Sequence, residues 1–84
     1  MESLPRYQEF IKPMLDFLKV HSAPASNTTI DAAVARSVNI PESLLAEIHS
    51  GQRTEFQYRM AWARTKAKSE GKISSPRRET WEII

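Results

Sequence analysis

The sequence predicts a mainly α domain that ends in a small β-hairpin, the element order of a winged helix-turn-helix. Three features predict this class. Apolar residues recur at three- and four-residue spacing in four segments, apolar and polar residues alternate around a proline near the C-terminus, and positive charge is concentrated in the last helix and that hairpin. The 84 residues are expected to form a single domain, residues 1–84.

The first helix is predicted from about Pro5 to Val20. Pro13 lies inside it and removes one intrahelical hydrogen bond, so we expect a bend there without a break in the helix. The stretch most typical of a loop follows at residues 21–27. The apolar stripe of this helix consists of Tyr7, Phe10, Ile11, Met14, Leu15 and Leu18.

The second and third helices are predicted to be shorter. Thr28 or Thr29 caps a helix from Ile30 to about Val38, and the threonines leave open a very short strand before the cap. A third helix runs from Pro41 to about His49, where Ser50 and Gly51 end it. Its buried side consists of Leu44, Leu45 and Ile48.

The fourth helix has the clearest signals. Thr54 and Gln57 have the spacing of a capping box, and Gly71 stands where a left-handed C-terminal cap belongs, so a helix is predicted from about Thr54 to Glu70. Trp62 lies off the core stripe, and packing against the second or third helix is favoured over contact with a partner. The core stripe consists of Phe56, Met60, Ala63 and Ala67, within an arc of roughly 60°.

A hairpin is predicted from Ile73 to Ile83, with Pro76 in its turn and Arg77 and Arg78 at its tip. Alternation separates two sets of side chains, each expected on one side of the hairpin. The inward residues are Ile73, Trp81 and Ile83, and the outward residues are Thr80 and Glu82.

Residues 53–78 contain eight of the twelve lysines and arginines and two acids, a net charge of +6 in a chain whose net charge is +2. Cations grouped on a helix and a hairpin tip suit the phosphates of double-stranded DNA. In this class the fourth helix enters the major groove and the hairpin lies along the backbone or minor groove. The predicted DNA-binding residues are Arg53, Thr54, Gln57, Tyr58, Arg64, Thr65, Lys68, Arg77 and Arg78.

Five of these residues are predicted to contact bases. Arg53, Thr54 and Gln57 lie near the helix N-terminus and are the candidates for reading bases, because Arg and Gln can make bidentate contacts with purine edges. Tyr58 and Thr65 are candidates for contact with a pyrimidine methyl group. Each of these side chains could instead hold a phosphate.

Catalysis by this chain is not expected. Glu70-Gly71-Lys72 imitates half of a PD-(D/E)xK nuclease motif, but the nearest upstream aspartate, Asp31, lies in a predicted helix. The two histidines lack metal-ligand spacing and there is no cysteine, so we expect neither a metal nor a cofactor. We recognise no signal peptide and no membrane span, and we expect a cytoplasmic location.

The run SGQRTEFQYRMAWARTKAKSEGKISSPRRETWEI closely resembles the end of the N-terminal domain of Mrr-like restriction endonucleases, and the opening LPRYQEFIKPMLDFL resembles its first helix. In that family a helix with the pattern SG…T.F..R..WAR precedes a hairpin with the pattern SP+R..W.I, where plus is a basic residue. Ala67 and Lys72 stand where larger apolar residues are usual, and Glu79 where glycine is frequent. The matching residues are Arg59, Trp62, Ala63, Arg64, Pro76, Arg78, Trp81 and Ile83.

The resemblance implies the DNA-reading half of a modification-dependent nuclease. Its partner would be double-stranded DNA, methylated or not, and a separate C-terminal PD-(D/E)xK domain, absent from this chain, would cut. Two alternatives stay open. One is a protein-interaction or dimerisation module that uses Tyr58, Ala61 and Trp62, and the other is a free-standing transcriptional regulator that binds a two-fold site as a homodimer.

Overall fold

A computed structural model describes residues 4–21, 24–51 and 53–84. Helices predominate and the sheets are small, so the predicted mainly α class with a small β-hairpin is confirmed. None of the helices in these ranges is long and apolar enough to cross a membrane. The elements are α1 (Gln8–Val20), β1 (Ala25–Ser26), α2 (Asn27–Ser37), α3 (Glu42–Leu45), β2 (Ile48–Ser50), β3 (Arg53–Thr54), α4 (Glu55–Ser69), β4 (Ile73–Ser74) and β5 (Thr80–Ile83).

The first helix continues through Pro13 as predicted, but it begins at Gln8 rather than near Pro5. The carbonyl oxygens of Leu4 and Pro5 accept hydrogen bonds from Nη1 of Arg59 at 2.8 and 3.0 Å. These carbonyls thus bond to a side chain of the fourth helix, and the segment does not form a first turn of α1. The buried residues of α1 are Phe10, Met14 and Leu18, all from the predicted stripe.

The second helix begins earlier than predicted, because its N-cap is Ser26 and not Thr28 or Thr29. Ser26 Oγ accepts a hydrogen bond from the backbone N–H of Thr29 at 3.2 Å. The short strand left open before the cap is present as β1, which pairs antiparallel with β5. Residues 22 and 23 of the predicted loop lie outside the described residues.

The prediction that the third helix continues to His49 is wrong. The helix ends at Leu45, and Ile48–Ser50 pairs antiparallel with β3, so backbone groups that would have bonded along a helix bond across a hairpin. Gly51, expected to end a helix, has φ +53 in the hairpin turn. Ile48, expected in the core, is 63% exposed, whereas Leu44 is buried as predicted.

The caps predicted for the two ends of α4 are confirmed. Thr54 Oγ1 accepts from the backbone N–H of Gln57 at 3.1 Å, and Gln57 Oε1 accepts from the backbone N–H of Thr54 at 3.0 Å. At the other end Gly71 has φ +74, and its N–H donates to the carbonyl of Lys68 at 3.0 Å. A capped start and a left-handed glycine thus fix the length of this helix.

The C-terminal hairpin (residues 73–83) forms as predicted and belongs to a sheet of order β1-β5-β4. Ile73 is buried and faces the core, as expected. All four residues of β5 are half-buried, including Thr80 and Glu82, which were expected to face outward. The reason is that β5 is the central strand, with a neighbour on each side.

One hydrophobic core joins the helices to this sheet. Phe10 of α1 meets Phe56 of α4 edge to face, with ring centroids 5.3 Å apart, a favoured geometry for aromatic pairs. Every helix and two strands of the three-stranded sheet contribute buried side chains. The core consists of Leu4, Phe10, Met14, Leu18, Ala25, Ile30, Val34, Leu44, Phe56, Met60, Ala63, Ala67 and Ile73.

Candidate nucleic-acid interface

The outward face of α4 is polar along its centre, and the predicted core stripe beneath it is buried. Because the helix advances about 100° per residue, its exposed positions form one continuous surface along the helix. Thr65 Oγ1 donates to the carbonyl of Ala61 at 2.9 Å, so its hydroxyl hydrogen is already engaged. The exposed residues at the centre of this face are Gln57, Thr65 and Lys68, with Ala61 half-buried among them.

The capping box engages part of the predicted base-reading set. Thr54 Oγ1 and Gln57 Oε1 both accept hydrogen bonds from backbone N–H groups. Gln57 is exposed, but the predicted bidentate contact with adenine would have to share or break the bond at Oε1. Arg53 is exposed at the same end of α4.

Arg64 is not exposed on its flank of α4, although the contact with DNA predicted for it requires an exposed side chain. It is 6% exposed, and its Nη1 donates to Oδ1 of Asp31 in α2 at 2.6 Å. Burial raises the pKa of the Asp31 carboxyl, and the charge and hydrogen bond of Arg64 lower it in part. The expected exposure is wrong because α2 covers this flank and supplies a counter-charge, so Arg64 ties two helices together.

A groove of about 530 Å³ separates the N-terminal part of α2 from the N-terminal half of α4. Two arginines, Arg53 and Arg64, and two acids, Asp31 and Glu79, line it, so its charge is mixed rather than uniformly positive. Glu79 directly follows the two arginines of the hairpin tip. The turn of the C-terminal hairpin is therefore attached at the rim of this groove.

Trp81 fixes the C-terminal hairpin against α2 and α4. Its Nε1 donates to Oδ1 of Asn27 at 2.6 Å, and Nζ of Lys68 lies 5.9 Å from the centroid of its ring. Lys68 therefore connects the outward face of α4 with the hairpin. Arg77 and Arg78 are exposed in the turn beyond Trp81, as predicted.

The hairpin turn has a defined backbone. Ser75 Oγ lies 2.8 Å from the carbonyl oxygens of both Arg77 and Thr80, and the N–H of Thr80 donates to the carbonyl of Arg77 at 3.1 Å. Glu79 adopts a left-handed conformation, φ +59, and its carbonyl accepts from the N–H of Asn27 at 3.0 Å. Glutamate thus takes up a conformation that favours glycine.

A row of aromatic rings lies on the other flank of α4. His49 of β2 stacks on Tyr58 with centroids 3.8 Å apart, Tyr58 meets Trp62 edge-on at 6.5 Å, and Trp62 lies 6.4 Å from Tyr7. The guanidinium carbon of Arg53 is 5.7 Å from the Tyr58 centroid. Trp62 is 48% exposed and outside the core, contrary to the packing predicted for it. Tyr58 is half-buried and partly covered, which limits its predicted contact with a pyrimidine methyl group.

Glu55 and Arg59 form a second tie beside these rings. Glu55 Oε2 lies 2.7 Å from Nδ1 of His49, and Glu55 Oε1 accepts from Nε of Arg59 at 3.1 Å. Burial raises the pKa of Glu55, but the hydrogen bonds from Arg59 and His49 outweigh it and hold that pKa below its usual range. Sequence reasoning missed that Arg59 anchors the N-terminal segment. Its four-residue spacing from Glu55 was the one local signal.

The E-x-K run is part of a helix end. Glu70 is the C-cap of α4, and its carboxylate lies 3.2 Å from Nζ of Lys72 and 3.7 Å from Nζ of Lys66. The hydrogen bond and charge of Lys72, with a smaller contribution from Lys66, hold the pKa of Glu70 below its usual range. Among residues 4–21, 24–51 and 53–84, no group of three or more His, Asp or Glu side chains could hold a metal ion.

The predicted site residues therefore fall into three groups by exposure. The structure exposes Gln57, Thr65 and Lys68 on one face of α4 and exposes Arg53 of β3 next to the start of that helix. Thr54 and Tyr58 are half-buried beside them, and Arg64 is buried. The exposed members are Arg53, Gln57, Thr65, Lys68, Arg77 and Arg78.

The chain matches no curated protein and no solved structure. A model of the Mrr N-terminal domain matches residues 7–83, a span that includes every helix and strand described above. The resemblance in the helix and hairpin motifs thus extends over nearly the whole sequence, and the chain belongs to the Mrr N-terminal domain family.

Proposed function

We propose that this domain binds double-stranded DNA as the recognition module of a restriction endonuclease. Membership of the Mrr N-terminal domain family supports the link with restriction systems. The observation that carries the proposal is exposure of charge: the structure describes all of residues 53–78, and six of the eight cations there are exposed. They are Arg53, Lys66, Lys68, Lys72, Arg77 and Arg78. Such cations neutralise phosphates and release counterions, which favours binding.

The proposed arrangement follows the winged-helix order of the elements. α4 lies in the major groove, and the turn of the C-terminal hairpin lies along the backbone or minor groove. The 15 residues of α4 make a helix about 22 Å long, enough to lie in a groove about 12 Å wide. Arg53 and Gln57 then approach bases from the N-terminal end, and Lys68 approaches the phosphates nearer the hairpin.

We infer a non-catalytic role for the domain, residues 1–84. DNA cleavage is assigned to a separate C-terminal nuclease domain of the parent protein, and the DNA that is read includes methylated DNA. A homodimer over a two-fold site is compatible with this arrangement. The cytoplasm is the proposed location, because the DNA partner would be met there.

The test compares two double variants that remove the same charge. Arg53→Ala/Lys68→Ala should weaken binding to a duplex by about tenfold or more at moderate salt and lower the log–log salt slope by about 2. Lys12→Ala/Lys19→Ala, on the exposed side of α1, is the matched control and should change both quantities much less. Fluorescence anisotropy with a labelled duplex at several salt concentrations measures both, and equal losses in the two variants would contradict the proposal.

The exposed aromatic and apolar side chains favour a second candidate, a protein-interaction or dimerisation module. Ile48 is 63% exposed and Trp62 is 48% exposed. An interface built on such residues should persist as salt rises, whereas DNA binding should weaken steeply. Two measurements at two salt concentrations separate the candidates. Sedimentation of the protein alone detects self-association. Anisotropy measures binding to matched duplexes that are unmodified or carry methylated cytosine or adenine.

A further inference from the structure

Trp62 is an exposed aromatic side chain in the middle of α4, and the contacts proposed so far with double-stranded DNA do not use it. It stands between two concavities, of about 490 and 290 Å³, and both are lined by Trp62 and Tyr58. The larger also contains Tyr7 and Arg59, and the smaller contains Arg53. The two aromatic rings therefore form the ridge between two open surfaces.

The surroundings of the two rings leave Trp62 as the surface on which a ligand can stack. Tyr58 is already stacked on His49, 3.8 Å away and 14° from parallel, and Arg53 lies over the ring at 5.7 Å. Trp62 meets Tyr58 at 81° and Tyr7 at 40°, so neither neighbour is stacked parallel to the indole. The indole is 48% exposed, so part of its surface is open to a ligand.

The charge around this ridge suits a nucleotide. Arg53 borders the smaller concavity, Arg6 and Arg59 border the larger, and the exposed Lys66 follows Trp62 by one helical turn. A nucleotide combines a flat apolar base with an anionic phosphate, and aromatic rings bordered by cations bind that combination. A purely apolar protein partner would have to cover three arginines here.

The ridge is also continuous with the proposed DNA surface. Ala61 and Thr65 belong to the central face of α4, and both line the smaller concavity beside Trp62. A strand whose phosphates lie along that face would bring an extruded base within reach of the indole.

We propose that Trp62 stacks on an unpaired nucleobase of the DNA that lies along α4. The domain then prefers DNA that has an unpaired or extruded base to a fully paired duplex. This inference rests on the proposed function, and it adds the state of the bases to what the domain recognises. Base–aromatic stacking tolerates any base, so the preference concerns pairing rather than sequence.

Affinity is measured with a paired duplex, the same duplex with one bulged base, and one of its strands alone. Wild type should bind the bulged duplex at least about fivefold more tightly than the paired one, the low end of what one stacked base contributes. The chain has two tryptophans, so Trp81→Phe leaves Trp62 as the sole indole, and its fluorescence should be quenched by the bulged duplex.

The variants separate stacking from general binding. Trp62→Ala should abolish the preference and keep affinity for the paired duplex within about twofold of wild type, because phosphate contacts supply that affinity. Trp62→Phe should retain part of the preference, and Trp81→Phe, the matched control, should retain it fully. Far-UV circular dichroism and thermal melting establish that each variant is folded.

Three results overturn the inference while the proposed function stands: equal affinity of wild type for the paired and bulged duplexes, a preference that survives in Trp62→Ala, or an equal loss of both affinities in Trp62→Ala. Self-association of wild type that is lost in Trp62→Ala, without any preference for bulged DNA, would identify the ridge as a protein interface and would also overturn the inference.

Other results concern the proposed function itself. Binding to the single strand with quenching, but not to the paired duplex, would support stacking and refute the proposed function. Failure to bind any of the three DNAs would refute both.

Discussion

Among the described residues, Asn39, Gly51, Gly71 and Glu79 have a left-handed backbone. Glycine adopts this conformation without a steric cost and asparagine tolerates it, whereas glutamate does so rarely. At Glu79 the conformation persists because the carbonyl is bonded to the N–H of Asn27 at 3.0 Å. The contact of the hairpin with α2 thus holds the left-handed turn without a glycine.

Gly71→Ala should lower the free energy of unfolding by about 1 kcal/mol or somewhat more. The residue has φ +74, and an added Cβ would meet no atom within 4 Å, so the loss comes from the backbone and not from a clash. Urea unfolding followed by circular dichroism measures it. The control is Ser69→Ala, an exposed position inside α4, and equal stabilities for both variants would contradict this explanation.

The residues that the sequence predicted correctly are those whose roles depend on near neighbours. Thr54, Gln57 and Gly71 act within a few residues of themselves, and their spacing was sufficient. Arg64 was misplaced because its partner, Asp31, lies 33 residues away on another helix. A position at the edge of an apolar stripe is exposed or buried depending on what covers it, and helical periodicity does not contain that information.

At the scale of elements, a polar contact joins α2 to α4 in addition to the shared apolar core. The Arg64–Asp31 pair crosses between the two helices, with side-chain exposures of 7% and 15%. A buried ion pair is costly to break, since removal of one partner leaves the other charge without compensation. The pair therefore sets the geometry of the groove on one side of the proposed DNA surface.

Arg64→Met should destabilise the domain by about 3 kcal/mol, because Asp31 is left buried without its counter-charge. Asp31→Leu/Arg64→Met should recover much of that loss, since a packed apolar pair of similar volume is often as stable as a buried ion pair. Urea unfolding of the two single variants and the double variant gives the coupling energy. Additive losses in the double variant would show that the two side chains do not depend on each other.

The prediction of one element, the helix continued past Leu45, was wrong for a physical reason. Leu44, Leu45 and Ile48 have helical spacing, and a glycine after them is typical both of a helix C-cap and of a hairpin turn. Only pairing with β3 decides between the two, and that pairing is a contact between segments. The capped boundaries of α4 were predictable, whereas the N-cap of α2 and the switch from helix to strand after Leu45 were not.

At the scale of the whole molecule, the side chains that form the buried core and the exposed cations are different sets of residues. The buried core joins α1, α2, α3, α4 and the three-stranded sheet, while the exposed cations of residues 53–78 lie in β3, on α4, just before β4 and in the turn of the C-terminal hairpin. Charge can therefore be removed from the proposed DNA surface without opening the core. That separation is what makes the double variant Arg53→Ala/Lys68→Ala a test of binding rather than of folding.

A single core also predicts that the two tryptophans report one unfolding transition. Trp81 packs against the core from the sheet, and Trp62 stands on α4 outside it, so a hairpin that melted first would alter the fluorescence of Trp81 alone.

The variants Trp62→Phe and Trp81→Phe each leave one indole as the fluorescent reporter. Within each variant, fluorescence and far-UV circular dichroism should give the same urea midpoint, because Ile73 of the hairpin is buried in the same cluster as Phe10 and Met60. Trp81→Phe should itself be about 1 kcal/mol less stable, through loss of the bond to Asn27. A fluorescence midpoint in Trp62→Phe that falls below its circular dichroism midpoint would show that the hairpin unfolds independently, and the cations at its tip would then not be held in a fixed position beside α4.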